Sequence, residues 1–149
     1  MAESAKMFGP MMQHMYATMG ALGKAFYEKY GDDALPIITE VMGETGAAGG
    51  KLAKGMLKGE GMKAMGEMFG MFSMLGFDFQ MIEVSDDTLH FKSSKCPLCV
   101  EGTSRGLCEA MMSSDKQMIS TIIGEEVDME IPKSLAVGDE YCEVIFKTK

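Results

Sequence analysis

Hydrophobic positions recur at helical spacing in the first half of the chain and alternate along short segments of the second half. Apolar side chains within residues 5–30 are spaced close to four apart, which predicts one or two amphipathic helices. A further helix is predicted to begin at Ala34, after a turn signal at residues 31–33, and another to cover residues 62–75. We therefore expect about residues 1–75 to be helical.

Glycines interrupt this helical pattern between residues 42 and 61. An interior glycine lowers helix stability by about 1 kcal/mol relative to alanine. A helix here is stable only if another element packs closely on its bare backbone. We expect either such a closely packed helix or a conformationally soft one.

The β-rich part is predicted to cover about residues 76–149. Alternating segments at 77–84 and 88–92 flank a Ser-Asp-Asp turn and predict a β-hairpin. Helices are expected at about 103–112 and 115–123, and two more strands at 127–131 and 141–146.

These elements predict an α+β fold: an N-terminal helical half followed by a small antiparallel sheet with intervening helices. The length of 149 residues is that of a single domain covering residues 1–149. In the last predicted strand, Cys142 shares a face with Val144 and Phe146 and should point toward the core.

Charge and composition exclude some partners. The net charge of −8 disfavours nucleic acid, which normally requires a basic face. No segment approaches the roughly 20 apolar residues that span a bilayer, and the N-terminus lacks the apolar core of a signal peptide. We expect a cytoplasmic protein without a membrane partner. Its eighteen methionines are compatible with an anaerobic source, because methionine oxidises readily.

The cysteines carry the main chemical hypothesis. Cys96 and Cys99 form a C-x-x-C pair that a tight turn can aim at one ion, and Cys108 and Cys142 are predicted on a helix and a strand. Thiolate ligands select zinc or iron–sulfur clusters. Pro97, directly after a cysteine, favours the cluster slightly. The sequence predicts one zinc or iron–sulfur centre held by these four cysteines.

Other interpretations of the cysteines and methionines stay open. Cys108 and Cys142 are also typical small buried hydrophobes, and Cys96 and Cys99 could form a reversible redox pair. The methionines are expected to fill the core or to line a plastic apolar pocket. His90 lies near the cysteine loop and is a candidate for a polar contact to a ligand, and Arg105 for an anion contact.

Several short motifs resemble the L-2-amino-thiazoline-4-carboxylic acid hydrolase family and the related 4-vinyl reductase domain. They are the segment 29–35, Lys95-Cys96-Pro97, Cys108 and the ending 134–146, in which Gly-Asp-x-x-Cys-x-x-x-Phe is the most specific part. The resemblance implies an α+β domain, often dimeric, with a pocket for a small apolar or planar ligand beside a cysteine-bound metal. Met129 stands where relatives often carry another cysteine, and Cys99 is the candidate to replace it.

Three functions follow as hypotheses. The first is a small-molecule-binding, sensory or accessory module, with the metal centre beside a methionine-rich pocket, acting as a homodimer or in a larger complex. The second is a redox protein or enzyme that uses an iron–sulfur cluster. The third is a hydrolase of a small heterocyclic amino acid, which would need the open metal position that a four-cysteine site lacks.

Overall fold

The computed structural model describes residues 2–149 and has the α+β fold that the sequence predicts. Four α-helices accompany one antiparallel sheet, whose strands lie in the order β1-β2-β4-β3. The helices are α1 (Ala2–Tyr30), α2 (Ala34–Lys54), α3 (Lys63–Met74) and α4 (Arg105–Ile123). The strands are β1 (Gln80–Val84), β2 (Thr88–Ser93), β3 (Val127–Lys133) and β4 (Cys142–Thr148).

Helix α1 is one continuous helix with two different faces. Its inner face approaches the rest of the chain so closely that a Cβ at Gly20 would lie 1.6 Å from the carbonyl oxygen of Leu98. The amide of Gln13 donates a hydrogen bond to the Leu75 carbonyl (2.8 Å) and ties α1 to the end of α3. The opposite face carries an exposed apolar stripe at helical spacing: Met7, Met11, Met15 and Leu22.

Helix α2 continues into the glycine-rich segment as far as Lys54, because Gly46 and Gly50 face helix α4. A Cβ at Gly46 would lie 2.0 Å from the carbonyl oxygen of Ser114, and one at Gly50 would lie 2.8 Å from that of Met118. The closely packed helix is therefore confirmed as far as Lys54, and the rest of the glycine-rich segment, residues 55–61, is not helical. The absence of side chains allows the two backbones to approach.

Helix α4 is a single helix, so the prediction of two helices in this region is wrong. Ser113 falls between the two predicted helices, but it lies in the middle of α4. Its hydroxyl donates a hydrogen bond to the Glu109 carbonyl (3.2 Å). A serine that bonds back to the preceding turn does not need to end the helix. The true start is at Ser104, whose hydroxyl accepts from the backbone N–H of Leu107 (3.1 Å).

The sheet is built on the predicted hairpin and on the central pair β2–β4, in which Phe91 is opposite Val144 and Ser93 is opposite Cys142. Strand β3 passes through Pro132, and its register with β4 is irregular there because proline lacks the N–H that the ladder requires.

One face of the sheet packs against α3 and α4 and forms the main core. Its side chains that expose 3 % of their surface or less include Met65 and Met68 of α3, Leu89 of β2, Phe146 of β4 and Ile119 of α4.

The methionines that recur every three residues near α3 do not share one face. Met62, Met65 and Met68 are buried, whereas Met71 and Met74 are exposed. Within residues 2–149, no helix is both long enough and apolar enough to cross a membrane.

Candidate functional site

A cavity lies between the sheet and helices α1, α3 and α4, and the loop that follows β2 covers part of it. The space open to the centres of water-sized spheres measures about 70 Å³. One water molecule needs only about 10–15 Å³ by such a measure, and an engineered cavity of about 150 Å³ binds benzene. The cavity is therefore larger than one water molecule needs but less than half the size of the benzene-binding cavity, so it has room for only a few heavy atoms.

Six aromatic rings contribute to the cavity wall. Phe77 stacks parallel to Phe79 at 6.0 Å between ring centroids, and Tyr16 meets Phe77 edge to face at 5.3 Å. Such pairs contribute about 0.5–1.5 kcal/mol each beyond the area that they bury, so the wall is a cohesive unit. The rings come from α1, α3, β2 and the segment before β1: Tyr16, Phe69, Phe72, Phe77, Phe79 and Phe91.

The predicted apolar pocket is thus present, but methionine does not dominate it. In the described part of the chain, Met112 is the one methionine that lines the cavity. The other buried methionines fill the core around the sheet or between α1, α2 and α4.

Three of the four cysteines contribute to the cavity wall and the fourth does not. Cys96 comes from the loop after β2, Cys108 from α4 and Cys142 from β4. The C-x-x-C segment makes a tight turn in which the Cys99 N–H donates to the Cys96 carbonyl (3.1 Å). Cys99 has a left-handed backbone (φ 53°) and an exposed side chain, so it lies apart from the cavity.

The cavity cysteines are held as neutral thiols. Burial is the main cause that raises the pKa of Cys96, Cys108 and Cys142. Ser134 donates its hydroxyl to the Cys108 sulfur (3.3 Å), and the Leu135 N–H donates to the Cys142 sulfur (3.4 Å). These bonds lower the two pKa values, but burial outweighs them.

The prediction of a zinc or iron–sulfur centre is wrong. Among residues 2–149, no three or more His, Cys, Asp or Glu side chains are placed to hold a metal ion. Cys99 is exposed, and the other three thiols sit in an environment that disfavours the thiolate form that metals require. The C-x-x-C spacing produces a turn here without producing a ligand set.

Sequence reasoning missed the most unusual group in the cavity, the carboxyl of Asp115. Asp115 lines the cavity and keeps some accessible surface there, although protein atoms surround it densely. This burial raises the pKa of the Asp115 carboxyl from 3.8 to about 6. Its own backbone N–H opposes this shift, and no other side chain contributes to it. A carboxyl with a shifted pKa in a cavity is a typical mark of a functional site.

A sequence signal for Asp115 exists. Cys108, Met112 and Asp115 are spaced i, i+4, i+7, which puts them on one face of a continuous helix. This pattern is hidden when Asp115 is read as the start of a second helix.

The other candidate polar residues lie elsewhere. His90 pairs with Glu143 on the sheet (2.8 Å between Nε2 and Oε1) and is not among the cavity-lining residues. The Arg105 guanidinium donates to the Ile131 carbonyl (2.5 Å) and so holds the start of α4 against β3. Neither side chain contacts the cavity that the structure describes.

Fold and cavity together define an α+β domain with an aromatic-walled interior space. The chain belongs to the L-2-amino-thiazoline-4-carboxylic acid hydrolase family, whose sequence pattern matches residues 11–146. The resemblance in the cysteine loop and the C-terminal motif is thereby confirmed. No curated protein matches the chain in sequence.

Two solved structures share the fold. The first is the phenol-responsive sensory domain of the transcription activator PoxR with phenol, at a TM-score of 0.66 and 17 % identity, over 89 % of this chain and 74 % of that one. The second is trafficking protein particle complex subunit 3 from Naegleria fowleri, covalently bound to palmitic acid. Its TM-score is 0.61 and its identity 17 %, over 93 % of this chain and 95 % of that one.

Proposed function

We propose that this chain is a small-molecule-binding domain of the sensory or accessory kind, and that the aromatic cavity is its binding site. The single observation that carries the proposal is the cavity itself: an interior space with six aromatic rings and one carboxyl in its wall. Most ligand sites are apolar spaces of this sort with a few polar groups that orient the ligand.

The comparisons support binding of a small organic molecule. The PoxR sensory domain was solved with phenol and the trafficking subunit with palmitic acid, so two distant relatives of this fold hold apolar or aromatic molecules. The expectation of a homodimer stays a prediction, as does the cytoplasmic location.

The hydrolysis in the family's name fits this cavity less well. The carboxylate of a 2-amino-thiazoline-4-carboxylic acid is negative at neutral pH, whereas its amidine-like ring can carry a positive charge. The described cavity wall contains no Lys, Arg or His to pair with the carboxylate, and Asp115 would repel that carboxylate. We therefore propose binding and do not transfer the hydrolase reaction to this chain.

Isothermal titration calorimetry with small neutral apolar compounds tests the proposal. Val144 lines the cavity, and Val144→Phe adds a ring there, whereas Val137→Phe makes the same change at a site that is 48 % exposed. We expect saturable binding at one site per chain, lost in Val144→Phe and retained in Val137→Phe. Thermal unfolding of both variants shows whether the larger side chain is tolerated.

Two outcomes would overturn the proposal. One is that no compound of the panel binds to the wild-type chain. The other is that a folded Val144→Phe variant binds as well as wild type does, since the ligand would then occupy another site.

A further inference from the structure

The cavity wall has an unusual balance of charge. Its ionisable groups are Tyr16 from α1, Cys96 from the loop after β2, Cys108 and Asp115 from α4, and Cys142 from β4. The phenol and the three thiols are uncharged at neutral pH, since their ordinary pKa values of 10.0 and 9.0 already lie above it and burial raises them further. Asp115 is therefore the one group in this wall that becomes charged, and the charge is negative.

This charge has no protein partner in the described structure. No other side chain is among the causes that shift the pKa of Asp115, and no salt bridge of residues 2–149 includes it. A buried carboxylate without a counter-charge is unfavourable, and proteins normally pair or coordinate such a group. A cation bound in the cavity would supply such a partner.

The aromatic wall favours the same kind of molecule. The face of an aromatic ring is negative and attracts an organic cation that lies over it, and several rings together form the cages that recognise substituted ammonium groups. Here Tyr16, Phe77 and Phe79 face the same cavity as Asp115, together with the three other rings of the wall.

We propose that the ligand of this cavity is a small organic cation, an amine whose ammonium group pairs with Asp115 and whose apolar body contacts the aromatic wall. The inference rests on the proposed function and adds the class of ligand to it. The free space of about 70 Å³ limits the apolar body to a few heavy atoms unless side chains move.

A matched pair of ligands tests the charge directly. Isobutylamine and isobutanol have the same carbon skeleton, but only the amine is charged at pH 7. We expect isobutylamine to bind to the wild-type chain about tenfold or more tightly than isobutanol, the size of effect that one buried charged hydrogen bond gives. Calorimetric titration at constant ionic strength measures both affinities.

Asp115→Asn removes the charge and keeps the shape of the side chain. We expect this variant to lose the preference for the amine while it still binds isobutanol. The matched control is Asp33→Asn, because Asp33 is an exposed acid outside the cavity. It removes the same charge from the chain and should leave the preference intact.

A second measurement does not depend on comparing variants. The ¹³C resonance of the Asp115 carboxyl reports its ionisation, and a bound ammonium group should lower the pKa of Asp115 below the value of about 6 in the free chain. Isobutanol should not lower it.

The outcomes separate the two proposals. Binding of isobutanol with no preference for the amine, or a preference that survives Asp115→Asn, overturns the inference and leaves the proposed function standing. If neither ligand nor any neutral compound binds, the proposed function itself is overturned.

Discussion

Tyr16 of α1 and Asp115 of α4 face the same cavity although they lie far apart in the sequence. Burial, and then the negative charge of Asp115, raise the pKa of the Tyr16 phenol to about 12. The phenol therefore stays protonated at neutral pH and remains able to donate a hydrogen bond. Helix α1 thus supplies part of the cavity wall.

Asp115 makes stability depend on pH in an unusual direction. Its pKa is raised in the folded chain, so the folded state holds this proton more tightly than the unfolded state does. Its contribution is most favourable below about pH 4 and is lost as pH rises to about 6 and above. The loss amounts to about 3 kcal/mol, because the shift from 3.8 to about 6 is worth about 1.4 kcal/mol per pH unit.

Asp115→Asn should remove this dependence. We expect the variant to gain stability relative to wild type as pH rises from 4 to 7, measured by urea unfolding at each pH. Asp33→Asn is the control and should show no comparable gain. A constant difference between Asp115→Asn and wild type across this range would mean that Asp115 is not buried as described.

Gly46 tests the close contact between α2 and α4. Gly46→Ala would place a Cβ 2.0 Å from the Ser114 carbonyl oxygen, so the helices must separate. We expect a loss of stability of about 1–3 kcal/mol, the usual range for overpacking.

Gly49→Ala is the matched control on the same helix, because no atom lies within 4 Å of the position of its Cβ. Alanine is the better helix former, so this change should stabilise the chain by up to about 1 kcal/mol. Chemical unfolding measures both. Equal effects of the two substitutions would contradict the close packing.

The four cysteines should differ in reactivity. Cys99 is exposed, whereas burial raises the pKa of the three cavity thiols and shields them. The thiolate is the reactive form. Brief treatment of the native chain with iodoacetamide should therefore modify Cys99 first, and mass spectrometry of peptides identifies the site. If Cys96, Cys108 and Cys142 were modified as fast as Cys99, the cavity would be accessible to water and to the reagent.

Ser134 joins the cavity to the C-terminal motif. Its hydroxyl donates to Cys108 and accepts from the Ala136 N–H (3.2 Å), and its side chain is fully buried. Ser134→Ala leaves that N–H without this acceptor and should cost about 1–2 kcal/mol. Ser113→Ala, at a partly exposed helix position, is the control and should have a smaller effect. Thermal unfolding compares the two.

Much of the fold follows from local pattern. The glycine-rich helix and the hairpin could be predicted because a period of 3.6 or 2 and the turn residues act over short distances. The continuity of α4 could not be predicted. Ser113 donates a hydrogen bond to the Glu109 carbonyl, so the helix does not end there. The serine at 113 is a local signal for a helix break, but the tertiary packing of α2 on α4 outweighs that signal.

The site was harder to predict than the fold. The C-x-x-C pair correctly indicates a turn at Cys96, but whether four sulfurs meet depends on where a loop, a helix and a strand are placed in three dimensions. The same holds for Asp115. Asp115 stands out because six aromatic rings line the same cavity. Those rings come from four separate parts of the chain, and no sequence window contains them all.

The methyl group of Met112 gives the most direct test of binding in the cavity. Met112 lines the cavity, whereas Met81 on β1 is exposed and lies outside its wall. In a chain labelled with ¹³C-methyl methionine, with both signals assigned by Met→Leu substitution, the account predicts that isobutanol shifts the Met112 signal saturably and leaves the Met81 signal in place. If saturating ligand moves neither signal, or moves both alike, the cavity is not the binding site.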